Sequence, residues 1–164
     1  MTKPAPIFWP PGFEPQESPV HARNEIAIPF SKETVWAWLV RAKLWPSWYP
    51  NSANIEFLDG APPDLELGTR FRWKTFGVTL KSIVREFVPF ERLAWDAQRV
   101  GVKAYHAWLI QPTAEGCHVL TEETQKGVLA RLGKALRPKQ LEQMHQIWLE
   151  QLKIKASTGL PSTS

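Results

Sequence analysis

The residues of this 164-residue chain that could carry acid–base chemistry are few. Glu86 and His106 lie on strand-like segments, at positions that hydrophobic alternation assigns to the interior. A carboxylate in an apolar cavity has its pKa raised, and an imidazole can donate or accept a proton near neutral pH. The pair, with Glu122 or Glu123 as a further acid, could polarise a carbonyl or move a proton. Alternatively, Glu86 and His106 are structural residues that hydrogen-bond each other or the backbone.

Other types of reactive site find no support in the sequence. The remaining histidines, His21, His118 and His145, have no spacing typical of a metal site. The single cysteine, Cys117, excludes an internal disulfide, and nothing near it in sequence indicates an activated thiolate. The glycines occur singly, so no phosphate-binding loop is indicated. We therefore expect no metal and no cofactor.

The charge of the chain is unevenly distributed. The net charge is +4, and residues 126–155 contain seven Lys/Arg and two Glu, a local charge of +5 that leaves −1 for the rest. A basic C-terminal helix could serve as an interaction module, or it could be an ordinary solvated face. Because no recognition motif accompanies the charge, we expect no nucleic-acid partner.

The chain also lacks the sequence features of membrane insertion or export. No apolar run reaches the roughly 18–20 residues that a transmembrane helix needs, and the N-terminal residues do not resemble a secretory signal. These features predict a cytoplasmic protein without a transmembrane segment. The sequence does not choose between a monomer and a homodimer.

Composition divides the chain into three parts. Residues 1–19 form a Pro-rich N-terminal extension that holds six of the fifteen prolines, and its apolar residues Ile7, Phe8, Trp9 and Phe13 indicate that part of it packs on the domain. Residues 20–156 form the folded domain. Residues 157–164 are expected to be a disordered tail.

Hydrophobic periodicity predicts the order of the elements. The predicted strands are 20–28, 54–58, 69–75, 78–88, 92–99, 102–111 and 117–125. The predicted helices are 34–40 with a cap at Ser31, a short turn at 44–48, a segment carrying Val128, Leu132 and Leu136, and a long helix from Pro138 to about Ala156. Strands joined by short turns form an antiparallel meander.

Several short motifs resemble the polyketide cyclase/dehydrase family of the START-like superfamily. They are EIAIP at 25–29, VWAWL at 35–39, WPSWYP at 45–50, LGTRF at 67–71, RLAW at 92–95, HAW at 106–108, and TEET at 121–124 with Gly127. The resemblance covers about residues 20–156 and implies an α+β helix-grip fold. In that fold a curved antiparallel sheet of about six to seven strands wraps around a long C-terminal α-helix, and two short helices follow the first strand.

The resemblance implies an internal cavity between the sheet and the C-terminal helix. Within such a cavity, alternation and helical periodicity predict a set of ligand-binding residues: Phe71, Trp73, Leu80, Ser82, Val84, Leu93, Trp95, His106, Trp108, Met144 and Trp148. The sequence contains nine tryptophans, and each of these could equally be plain core. Trp36 and Trp38, two apart on a helix, face different directions, so we expect at most one to be buried.

Three functions remain open from the sequence. The first is binding of a hydrophobic small molecule of aromatic, lipid-like or polyketide-like character. The second is a cyclase or dehydratase that uses His106 and Glu86, so the sequence does not decide whether the protein is an enzyme. The third is the interaction module built on the basic C-terminal helix.

Overall fold

A computed structural model describes residues 6–60 and 63–162 of the chain. Its strands are β1 (Val20–Ile28), β2 (Ala53–Phe57), β3 (Arg70–Thr75), β4 (Val78–Val88), β5 (Arg92–Arg99), β6 (Val102–Thr113) and β7 (Gly116–Lys126). Its helices are α1 (Lys32–Val40), α2 (Val128–Leu136) and α3 (Gln140–Ala156), with 3₁₀ turns at Pro15–Glu17 and Ala42–Ser47. None of these helices is long and apolar enough to cross a membrane.

The seven strands form one antiparallel sheet in the order β1-β7-β6-β5-β4-β3-β2. Strands β2 to β7 follow one another as the expected meander, and β1 closes the far edge by pairing with β7. Helix α3 lies against this sheet, and its Trp148, Leu149 and Leu152 belong to the main core. The predicted α+β helix-grip fold is confirmed.

Alternation along the strands separates an inner face, toward α1 and α3, from an outer face. In β3, Phe71 and Trp73 are buried on the inner side, whereas Arg70, Arg72 and Lys74 are exposed. This period of two is the pattern of a strand with one buried face. The inner face of the sheet therefore carries the aromatic side chains that the sequence assigned to it.

Helix α1 buries both of its tryptophans, so the expectation that at most one is core was wrong. Trp36 contacts Phe87 of the sheet, with ring centroids 5.3 Å apart. Trp38 lies on another side of the helix and donates its indole N–H to the Gly159 carbonyl at 2.7 Å. Both can be buried because α1 lies between the sheet and the chain that follows α3.

The two terminal segments lie against the domain as far as they are described. Residues 157–162 of the predicted tail contact α1 and the residue after it, and Arg41 donates to the Ser162 carbonyl at 2.8 Å. The N-terminal extension covers the outer face of the sheet, where Trp9 and Phe13 each lie 6.0 Å from the Tyr105 ring. Residues 1–5 and 163–164 of these predicted segments lie outside the described residues.

Candidate functional site

Three buried ionisable side chains, His106, Glu123 and His145, meet at the inner face of the sheet. His106 and Glu123 are direct partners across β6 and β7, and His145 reaches them from α3. Glu123 Oε2 lies 2.9 Å from His145 Nε2 and 3.2 Å from His106 Nδ1. The exposed fractions of His106, Glu123 and His145 are only 3%, 8% and 1%. The cluster is therefore shielded from bulk water.

Two further polar groups hold this cluster in place. His106 Nε2 lies 2.7 Å from the Thr121 hydroxyl, which also lies 3.2 Å from the Ala107 carbonyl. Gln125 donates its side-chain N–H to Glu123 Oε1 at 2.7 Å. Hydrogen bonds at both ends fix the orientation of the imidazole and of the carboxylate.

Burial sets the protonation states of the cluster. Loss of water around His106 lowers its pKa to about 3, against the opposing effect of Glu123 and with His145 acting in the same direction. Burial by itself would raise the pKa of Glu123, but His106, His145 and the hydrogen bond from Gln125 outweigh it and hold that pKa below its usual range. At neutral pH the cluster contains a neutral His106 beside a carboxylate. An imidazole with so low a pKa is a weak base and is better suited to hydrogen bonding than to proton removal.

The same three residues are those that would hold a metal ion. Two imidazole nitrogens and a carboxylate oxygen lie within 4.8 Å of one another, a donor set that zinc and iron(II) use. The contacts to Glu123 Oε2, however, have lengths at which an imidazole N–H donates directly to a carboxylate. Within the cluster, only His145 Nδ1 lacks a partner among the described residues. Apart from that nitrogen, the polar atoms of the cluster have partners without an ion, and the absence of a metal stays a prediction.

Aromatic side chains fill the space between the sheet and α3. The buried rings are those of Trp45, Tyr49, Phe71, Trp73, Trp95, Trp108 and Trp148. Tyr49 stacks on Trp148 with centroids 4.1 Å apart, and Trp45 meets Trp148 edge-on at 5.1 Å. The cavity beside the ionisable cluster has a volume of only about 30 Å³. That is the room of about one water molecule, so the deep interior is not a ligand pocket.

A much larger cavity, of about 520 Å³, lies at one end of the sheet beneath α2. Its apolar lining comprises Val20, Ala22, Phe76, Val78, Leu80, Val102, Leu129, Ala130, Pro138 and Leu141. Three cationic residues, Arg99, Lys134 and Arg137, also line it, together with the acidic Glu142. We call this space the α2 cavity.

The α2 cavity adjoins the small cavity beside the ionisable cluster. The two share five lining residues: Thr75, Phe76, Leu80, Val102 and Gln125. Gln125 is the polar member of this boundary that donates to Glu123. A ligand in the α2 cavity would therefore meet the buried cluster through Gln125.

A family model described as "Polyketide cyclase / dehydrase and lipid transport" matches residues 19–156, which is most of the chain. The chain belongs to this family. Among curated proteins, no sequence matches it.

Several solved structures share the fold of this chain. A hypothetical protein of Helicobacter pylori, jhp0584, is 30% identical, with 95% of this chain and 99% of that chain covered and a TM-score of 0.88. TTHA0849 from Thermus thermophilus is 18% identical, with coverages of 85% and 98% and a TM-score of 0.68. The di-domain ARO/CYC protein StfQ from the steffimycin biosynthetic pathway is 17% identical, with coverages of 85% and 51% and a TM-score of 0.67. The last two likenesses show the fold alone.

The predicted ligand-binding residues lie in the wall of the α2 cavity, in the wall of the small cavity, or in the core away from both. Leu80 lines both cavities, and Trp73, Trp95, His106 and Trp148 line only the small one. The remaining buried members are core residues that line neither cavity: Phe71, Ser82, Val84, Leu93 and Trp108. Met144 is half-buried on α3 and also lines neither. Most of the predicted set therefore forms core beside the α2 cavity.

Glu86 does not lie with His106, which corrects the predicted catalytic pair. A bulge between Val84 and Glu86 interrupts the alternation of β4, so Val84 stays opposite Trp95 while Glu86 pairs with Ala94 on the outer face. Glu86 there lies 3.5 Å from the Arg92 guanidinium. Partial burial raises the pKa of Glu86, partly offset by Arg92. Glu86 and His106 occupy opposite faces of the sheet and cannot act on one substrate atom.

His145 and Gln125 are the site residues that the sequence analysis missed. His145 lies on the same stripe of α3 as Trp148, Leu149 and Leu152, all of which are buried. The helical repeat of α3 was therefore a usable signal, but the predicted stripe included Met144 instead of its neighbour His145. Gln125 carries no signal in one sequence, because its role depends on the boundary between two cavities.

Proposed function

We propose that this protein binds a hydrophobic small molecule in the α2 cavity. The observation that carries the proposal is the cavity itself, because its volume of about 520 Å³ falls within the roughly 300–1,000 Å³ of small-molecule sites. Its walls are mainly apolar, with a few polar groups, which is the usual composition of such sites. The membership of a family described by polyketide and lipid chemistry supports the same class of ligand.

The proposed site differs in position from the one that the sequence predicted. The expected pocket lay between the sheet and the long C-terminal helix, but tryptophans fill most of that space. The α2 cavity lies nearer the end of the sheet, under the short helix α2 and the connection to α3. Arg99, Lys134 and Arg137 at its lining favour an apolar molecule that carries an acidic group.

A pair of phenylalanine substitutions on α2 tests this site. Gly133 is an exposed residue that lines the cavity, and a Cβ built there meets no atom within 4 Å, so the ring of Gly133→Phe can occupy space in the cavity without displacing its neighbours. Ala135 is exposed on the same helix and does not line the cavity, so Ala135→Phe is the matched control. The probe is cis-parinaric acid, a fluorescent fatty acid with an apolar chain and a carboxylate.

The wild-type protein and Ala135→Phe should bind the probe with similar affinity. Gly133→Phe should weaken binding at least about tenfold, because an aromatic ring occupies the volume that the chain of the fatty acid needs. Equal binding by all three proteins would place the probe elsewhere and contradict the proposal. Circular dichroism of each variant confirms that the fold is intact.

A second candidate function is conversion of the bound molecule, as in a cyclase or dehydratase, in which the cluster supplies hydrogen bonds rather than removing a proton. The observation that favours it is a series of contacts that leads from the α2 cavity into the buried cluster: Gln125 donates to Glu123, and Glu123 Oε2 lies 3.2 Å from His106 Nδ1. In this scheme the partners of His106 are Glu123 and His145 rather than Glu86. Gln125 or one water contacts the substrate, and the cluster fixes the orientation of that contacting group.

The ligand released from the purified protein is the substrate with which to test this second function. His106→Asn and Glu123→Gln should abolish its conversion while leaving its binding largely intact. Conversion at the wild-type rate in both variants would remove the cluster from any chemistry. No conversion by the wild-type protein would leave binding as the only function.

A further inference from the structure

Helix α2 presents apolar side chains to water on the side away from the α2 cavity. The apolar residues on this side are Val128, Leu132 and Leu136, which are 76%, 52% and 72% exposed. Val100, in the turn between β5 and β6, is 91% exposed and lies near the start of α2, because Leu129 N donates to the Gly101 carbonyl at 3.0 Å. We call Val100, Val128, Leu132 and Leu136 the α2 patch. Contiguous exposed apolar residues of this kind mark an interaction surface.

The spacing of these residues follows the helical repeat. Val128, Leu132 and Leu136 recur every four residues and so form one stripe along α2. Only Ala130 of the helix is buried, whereas α3 buries Trp148, Leu149 and Leu152. Helix α2 therefore has an apolar stripe that the described part of the chain does not cover.

Cationic residues flank the members of the α2 patch in sequence, and acidic ones are absent from its helix. Residues 126–139 contain five Lys/Arg and no Asp or Glu. Within the described ranges, Arg99, Arg131 and Arg137 form no ion pair with a carboxylate, and Lys134 donates only to the Pro19 carbonyl. The positive charge is thus free to interact with an external anionic surface.

We propose that the α2 patch docks onto an anionic lipid membrane. A helix with an apolar stripe and flanking Lys/Arg lies in the membrane interface, with the stripe among the acyl chains and the cations at the headgroups. A second copy of the chain fits the surface less well, because a two-fold interface would bring the same cations together. A nucleic acid would use the charge but would leave the leucine stripe exposed to water.

Docking in this orientation would place the α2 cavity at the membrane surface. The opposite side of α2 contributes Leu129, Ala130 and Gly133 to the cavity wall. A small movement of α2 on the membrane would then connect the cavity with the bilayer, from which a hydrophobic ligand partitions. This last step rests on the proposed function, whereas docking itself requires only the α2 patch and its charge.

Vesicle flotation tests the docking. The full chain is mixed with vesicles of phosphatidylcholine alone or of phosphatidylcholine with phosphatidylserine, at low and at high salt. The wild-type protein should float with the anionic vesicles at low salt, bind more weakly at high salt, and bind the zwitterionic vesicles least. Absence of binding to the anionic vesicles would overturn the proposal.

Matched surface variants assign any binding to the α2 patch. The double variant Leu132→Ser, Leu136→Ser should lose at least about tenfold in affinity, since two apolar side chains no longer enter the interface. The double variant Arg131→Gln, Lys139→Gln should lose about fivefold in vesicle affinity for each charge removed. The controls are Leu67→Ser, at another exposed leucine, and Lys74→Gln with Lys81→Gln, on exposed positions of β3 and β4. Binding that the α2 variants leave unchanged would overturn the proposal.

Two further measurements separate the remaining outcomes. Gly133→Phe should bind vesicles like the wild type, so a failure of ligand binding and a failure of docking are distinguishable. Light scattering should show that the Leu132→Ser, Leu136→Ser variant has the same mass as the wild type. A wild-type dimer that this variant dissociates would show that a second copy covers the α2 patch, and would contradict membrane docking.

Discussion

The free energy of unfolding should fall between about pH 7 and about pH 5, where most carboxylates remain ionised, because of the buried side chain of His106. In the folded state burial lowers the pKa of His106 to about 3, whereas in the unfolded chain it returns to about 6.5. Between those two values the unfolded state binds a proton that the folded state excludes, so the free energy of unfolding falls as the pH falls. From about pH 7 to about pH 5 one such histidine accounts for a loss of about 2 kcal/mol.

The neighbouring carboxylate acts in the same direction at lower pH. The pKa of Glu123 also lies below its value in the unfolded chain, so the stability that it contributes is present above about pH 4.5 and lost as the pH falls further. Between about pH 7 and about pH 5 the effect of His106 therefore dominates within the cluster. The slope of stability against pH in that range is its signature.

Urea denaturation followed by tryptophan fluorescence at pH 7 and pH 5 measures this slope. His106→Asn removes the titrating group and keeps a side-chain N–H near Glu123, so it should be less stable at pH 7 but lose about 2 kcal/mol less on acidification. The control His118→Asn changes a partly exposed histidine near the start of β7, outside the buried cluster, and should keep the wild-type slope. An equal loss in His106→Asn and the wild type would refute the reasoning. If His106→Asn does not fold, NMR titration of His106 in the wild type is decisive, and a pKa near 6.5 would contradict the account.

Two further predictions concern the fold that holds the site. Gly127→Ala should destabilise the protein much more than Gly77→Ala in thermal unfolding, because a Cβ at Gly127 would lie 2.3 Å from the Gly101 carbonyl oxygen, whereas at Gly77 it meets no atom within 4 Å. Both glycines have positive φ, so Gly77→Ala should still cost about 1 kcal/mol, and equal effects would contradict the close approach. Trp148→Ala should cost about 3–5 kcal/mol in urea, since its ring is 1% exposed among other aromatic rings. A cost below that of Trp9→Ala, on the outer face, would argue against a solid core.

The inner face of the sheet could be predicted from sequence because alternation is strict there. Phe71 and Trp73 lie between charged neighbours in β3, and His106 and Trp108 lie on one face of β6, as expected. The N-terminal extension was likewise expected to pack on the domain, and its Trp9 and Phe13 do so. Local pattern is informative wherever one face of an element meets water and the other meets core.

The site could not be predicted in full because it depends on features that local pattern does not contain. One bulge in β4 moved Glu86 to the outer face, and a bulge adds a residue without any marker in this sequence. His145 joins His106 and Glu123 only through the position of α3 on the sheet. The α2 cavity is a gap between a helix and the end of the sheet, and its volume depends on how the two are placed. Alternation identifies buried side chains, but it does not distinguish core from cavity wall.

The central claim is that the ligand of this protein occupies the α2 cavity while the interior between the sheet and α3 is filled by side chains. Native mass spectrometry of the freshly purified wild type, Gly133→Phe and Ala135→Phe, followed by identification of any released small molecule, tests it most directly. The account predicts one hydrophobic molecule bound to the wild type and to Ala135→Phe, and none bound to Gly133→Phe. The same molecule bound to all three proteins would contradict it.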